Sequence, residues 1–95
     1  MENVSKEGQP VSTVIRLSDL PLCASLATFG IFPVFIAPQD ENSRRWEFSY
    51  PPSKEMGGII TQYWNRALAV EPQAFALNLK LLKGRLYDAQ SRRAS

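Results

Sequence analysis

Ten residues, Leu20-Pro21-Leu22-Cys23-Ala24-Ser25-Leu26-Ala27-Thr28-Phe29, leave few options for the chain that contains them. Read as a helix, they put Leu20, Cys23, Ala24 and Ala27 on one face and Leu22, Leu26 and Phe29 on another. Only Pro21, Ser25 and Thr28 remain to meet water. A helix this apolar must be buried on most sides. The chain has 95 residues, enough for one modest core and a narrow stability margin. The rest of the chain, above all the two helices joined at a proline over Ile59 to Leu86, must supply faces to pack with it. Ser18 is placed to cap it, and Asp19 sits where the helix dipole favours a carboxylate. Pro21 is tolerated in the first turn, and Gly30 suits the left-handed position after the last.

The covering elements can be read in order. Residues 13–17, opening with the β-branched Thr13, Val14 and Ile15, form a first strand. Residues 31–37 are a continuous apolar run between Gly30 and Pro38, a second strand whose Pro33 argues for an edge or a bulge. Residues 45–50 alternate: Trp46, Phe48 and Tyr50 on one face, Arg45, Glu47 and Ser49 on the other. This third strand pairs with the second through a polar turn over 38–44. Pro51-Pro52 stops it, and Ser53 can cap a helix whose firm part begins near Ile59, past Gly57-Gly58. Ile59, Ile60, Tyr63, Trp64, Ala67 and Leu68 make its stripe, and Pro72 ends it and opens the next helix. That helix runs to about residue 90, with Phe75, Leu79, Leu82 and Leu86 on its core face. Leu77 and Leu81 lie well away from this face. Either the sheet covers them or they meet a second chain. Lys80, Lys83 and Tyr87 form a third stripe.

The pattern is that of an α+β fold, β-α-β-β-α-α, with a three-stranded, mostly antiparallel sheet packed against helices. Residues 1–12 read as a flexible tail, 13–90 as one domain and 91–95 as a frayed end. Trp64 and Phe75 are expected to anchor the core, each worth about 3–5 kcal/mol on truncation to alanine.

Ser18-Asp19-Leu20 opens an apolar helix ending at Gly30; an aromatic hairpin follows. Then come Tyr63-Trp64-Asn65, Pro72, Phe75 and a Leu- and Lys-rich helix from Leu79 to Tyr87. In this order and spacing the chain resembles, over about residues 14–88, a family of short bacterial and phage proteins characterised only as a domain of unknown function. It departs at Pro21, where a larger side chain is usual, and at Arg66, where glycine commonly follows the asparagine. The resemblance implies a compact α+β unit, often found in mobile-element genomes. It implies no activity and hence no catalytic residue.

The residue types exclude much chemistry. There is no histidine and one cysteine, so a zinc set is out of reach and the usual bases for a nucleophilic triad are missing. Asp40, Glu41 and Asn42 lack the spacing of a calcium loop, and Gly57-Gly58 lacks that of a phosphate loop. Asp19, Asp40, Glu41, Glu47, Glu55 and Asp88 read as caps, loop residues or solvated faces rather than a catalytic pair. No enzyme, cofactor or metal is expected. Cys23 reads as a small core residue, and its solitude fits a reducing, cytoplasmic setting. No secretory leader pattern and no run of 18 apolar residues is visible, so no membrane span is expected.

What remains is binding. Residues 1–41 carry two basic and five acidic side chains, a net of −3; residues 42–95 carry nine basic and four acidic, a net of +5. The reading is a non-enzymatic interaction module, a mobile-element type of accessory protein. It binds a host protein, or itself, through Leu77 and Leu81 or through Ile31 and Phe35 on the outer face of the second strand. The alternative is a nucleic-acid protein whose Arg44, Arg45, Lys80, Lys83, Arg85, Arg92 and Arg93 contact phosphates. Trp46, Phe48 and Tyr50 could then stack bases, unless they are the core face of the sheet. A third reading is a small ligand, such as a nucleotide, held between hairpin and helices.

Overall fold

The computed structural model describes residues 14–94. The tail expected at 1–12 and the start of the first strand lie outside the described residues. The elements follow the expected order: β1 (Ile15–Leu17), α1 (Leu20–Thr28), β2 (Phe35–Pro38), β3 (Trp46–Tyr50), α2 (Lys54–Trp64) and α3 (Pro72–Ala94). The class is α+β, with three helices and one antiparallel sheet in the order β1-β3-β2.

A cap accepts from the second or third amide of its helix. At α1 that cap is Asp19 rather than Ser18: its Oδ1 accepts from the third amide, that of Leu22, at 2.9 Å. The Ser18 hydroxyl accepts from Arg45 Nε and Nη2, at 3.1 and 2.6 Å. At the other end Phe29 is the C-cap and Gly30 turns left-handed at φ +81°.

β3 is the central strand. Tyr50 and Phe48 face Ile15 and Leu17 of β1 on one side; Phe48 and Trp46 face Ile36 and Pro38 of β2 on the other. β2 starts at Phe35, later than the apolar run suggested. The Ile31 amide is still held by the Leu26 carbonyl at 3.1 Å, closing α1. Pro33, buried, has no amide to give to a ladder.

Ser53 caps α2, as its position suggests, by accepting from Met56 N at 3.1 Å, and the helix runs unbroken through its two glycines. It also ends sooner than the periodicity indicated. Asn65 is its C-cap, and Arg66 takes φ +60°. A left-handed residue breaks the stripe, so Ala67 and Leu68 leave the helix. Trp64 is left on the last turn, 62% exposed. It is not a core anchor; Met56 and Ile59 are the buried residues of α2. Glu71 caps α3 by accepting from Gln73 N and Ala74 N, at 2.9 and 2.8 Å. These bonds hold its carboxyl below the usual range. The helix runs to Ala94, beyond residue 90 where the pattern placed its end.

The core joins Leu22, Cys23, Ala24, Leu26 and Ala27 of α1 to Phe48 and Tyr50 of β3, Met56 and Ile59 of α2, and Leu82 of α3. Phe75, Leu79 and Leu86 pack against it, as their common face required. Leu77 and Leu81 are exposed: the sheet does not cover them.

Two thermal-unfolding comparisons test this packing. Leu82→Ala should cost about 2–5 kcal/mol, whereas Trp64→Ala should cost less than about 1 kcal/mol, being largely solvated already. Arg66→Gly should stabilise the chain by about 1 kcal/mol, because glycine carries no left-handed penalty. A loss of stability in that variant would mean that Arg66 is not in the left-handed conformation.

Candidate interaction surface

The aromatic row of β3 is not a binding platform. Phe48 and Tyr50 are buried to within 2% and Trp46 is half-buried, so stacked bases could not reach the row. The Tyr50 hydroxyl makes no hydrogen bond of ordinary geometry. Its neighbour is the Cys23 thiol, a weak sulfur partner. Burial, with Tyr50 bonding in opposition, pushes Cys23 up to about 11. Burial, and then Cys23 beside it, push Tyr50 upward too.

The seven basic residues do not share one face. Arg45 is tied to Ser18 beside the start of α1. Lys83 and Arg85 are two residues apart on α3, about 200° round the helix, and so flank it on opposite sides. Arg92 Nη1 binds Asp88 Oδ2 at 2.6 Å, and Arg93 Nη2 donates to the Glu41 carbonyl at 3.2 Å. Lys80, Lys83 and Arg44 are exposed, and Arg85 is half-buried.

Apolar exposure is more concentrated. Phe29, Phe32, Val34 and Phe35 stand 43%, 42%, 61% and 51% exposed within seven residues of chain. The band starts at the end of α1, where the left-handed Gly30 swings the chain away, and reaches the first residue of β2. Ile31, between them, turns inward and packs against the core. Of the two strand residues proposed as an interface, the structure therefore exposes Phe35 and not Ile31. Val34, Phe35 and Ile36 line a groove of about 260 Å³ whose far wall is Arg85, Asp88, Ala89 and Arg92 of α3. Phe32 and Val34 escape the sequence reading because an uninterrupted apolar run reads as a buried strand, and Phe29 because it continues an apolar helix face that ends at the C-cap.

A second concavity lies at the opposite end of the sheet. Tyr63 Oη donates to Asp19 Oδ1 at 3.2 Å, bringing Ser18-Asp19-Leu20 and Tyr63-Trp64-Asn65 together. Burial first, then the Asp19 carboxylate, raise the Tyr63 hydroxyl above its ordinary range. Tyr63 and Trp64 meet edge to face with centroids 5.0 Å apart. Trp64 forms one wall of a cleft of about 450 Å³ that also presents Arg16, Ser18, Asp19, Arg45 and Glu47. Among the described residues no helix is long and apolar enough to cross a membrane. None of their acidic and cysteine side chains form a group placed to hold a metal.

These features define a small α+β unit whose first helix is buried from Leu22 to Ala27 and whose sheet edge exposes apolar residues. Residues 12–88 match the family described as Domain of unknown function (DUF5659), and the chain belongs to that family. No curated protein and no solved structure matches it.

The enclosed thiol makes an alkaline prediction. Unfolded, Cys23 ionises near its ordinary 9.0; folded, near 11. Between these values the unfolded state binds fewer protons than the folded one. Stability is therefore complete below pH 9 and declines as pH rises toward 11. Urea midpoints measured across that window should fall for the natural chain, and fall less for Cys23→Ala. Equal declines would remove Cys23 as a cause.

Proposed function

We propose that this chain is a non-enzymatic interaction module, a cytoplasmic accessory protein of mobile-element type that works through protein contacts. The observation that supports this reading is the band Phe29, Phe32, Val34 and Phe35. Large apolar side chains left exposed together in one short segment are the kind of surface that marks a contact site. The adjoining groove adds charged groups from α3 at its rim, the usual make-up of an interface edge. A partner segment with two or three apolar side chains would bury Val34 and Phe35 and face Arg85 and Arg92 with acidic residues.

The nucleic-acid reading has less behind it, since its seven basic residues point in several directions and three are engaged within the chain. A small ligand in the Trp64 cleft is a further reading, favoured by an exposed indole beside two arginines.

A photo-crosslinking residue at position 35 should trap a discrete protein from host extract, and one at exposed Gln62 should not. Val34→Ser/Phe35→Ser should abolish capture with the melting temperature unchanged. Labelled DNA and RNA, titrated at two salt concentrations, should bind weakly or not at all. Tight binding that collapses with salt, and is lost when Lys80, Lys83 and Arg85 are neutralised, would replace the protein-contact reading by the nucleic-acid one.

A further inference from the structure

Gly84 poses a question that its own chain does not answer. It lies in the interior of α3, where glycine costs about 1 kcal/mol relative to alanine. A Cβ at this position would meet nothing within 4 Å, so no packing inside the chain requires its absence. Gly84 also stands diametrically opposite the core face, beside Leu81 and Tyr87, which are 50% and 60% exposed.

The surroundings of Gly84 are self-complementary. Lys80, Gly84 and Asp88 form one ridge at four-residue spacing, and all three are exposed. Two helices commonly pack with such ridges alongside each other, their axes crossing near −50°. If a second copy packs in this way about a two-fold axis at Gly84, with the helices in opposite senses, Lys80 of each copy lies over Asp88 of the other. Asp88 holds Arg92 through Oδ2 and its side chain is 63% exposed, so the carboxylate keeps lone pairs for the lysine. The same operation sets Leu81 beside Leu81 on one flank and Tyr87 beside Tyr87 on the other. Leu77, 69% exposed, extends the leucine row. With the helices in the same sense, lysine would face lysine and aspartate would face aspartate, so charge selects the first arrangement. The missing side chain at residue 84 lets the two backbones approach.

From this we infer that α3 is a self-association surface, through which two copies of the chain pair about Gly84. The inference names one partner within the protein-contact reading and rests on it, but centres on Gly84 and shares only Asp88 with the wall of the Val34–Phe35 groove. The contact is short, so the dimer is a reversible one.

Sedimentation of the full chain over a wide concentration range tests it, and four variants fix the geometry. Lys80→Asp and Asp88→Lys should each weaken the dimer at least about tenfold, since two ion pairs become like-charge contacts. Combined, they should restore it. Gly84→Leu should abolish the dimer while leaving the melting temperature of the monomer equal or higher, because the site is open and leucine is the better helix former. A chain that stays monomeric at every concentration overturns the inference. So does a dimer indifferent to Gly84→Leu, or a charge pair whose double reversal fails to rescue. If the chain is monomeric but position 35 still captures a partner, the interaction reading stands without this surface. If neither contact forms, both fall.

Discussion

Enclosure of α1 is the constraint on which the structure rests. Its Leu22, Leu26, Cys23 and Ala24 have essentially no solvent contact. Burying a leucine contributes about 1.5–3 kcal/mol, and no single neighbour could cover so many sides. α3 packs along α1, α2 touches it more lightly, and Phe48 and Tyr50 of the central strand close the remaining side. Having spent one face on this helix, α3 presents its opposite face to water. The exposed leucines and the uncovered glycine are thus the other side of the same packing decision.

Asp19 joins two jobs in one oxygen. Oδ1 caps α1 through the Leu22 amide and also receives the Tyr63 hydroxyl from α2. The start of one helix is thereby clasped to the end of another, and Trp64, next to the clasp, is directed outward. Two short segments far apart in the chain form one structural unit.

The sequence revealed most about periodic elements. The stripe Phe75, Leu79, Leu82 and Leu86 identified a core face correctly, and the alternation of Trp46, Phe48 and Tyr50 identified the inner face of a strand. Gly30 marked the end of α1. Readings failed where one backbone event overrides a pattern. Side-chain periodicity carries the Ile59 stripe on through Ala67 and Leu68 and places Trp64 inside, because it cannot register the left-handed Arg66 that ends the helix. Ser18 is not the cap that forms: its hydroxyl receives Arg45 instead, a residue 27 positions away that no local pattern announces. The surface was the least legible part. Phe32 and Val34 belong to a run that reads as buried strand, and no property of the run announces that Ile31 and Pro33 turn inward while their neighbours do not. The basic residues were correctly seen as numerous, but number does not place them on one side of a helix.

The sheet order has a consequence for how the chain is made. The central strand β3 is the last of the three to be synthesised, so neither β1 nor β2 has a neighbour until Tyr50 has left the ribosome. α1 waits longer still, because its most extensive cover, α3, is made last of the described elements. From its emergence until α3 follows, a nearly all-apolar segment lacks its main cover, the circumstance in which chains aggregate or engage chaperones. Pairings this distant in sequence also slow folding after release. A chain of this design depends on prompt completion, and an arrested or shortened product lacking α3 would expose the surface that the finished fold is built to hide.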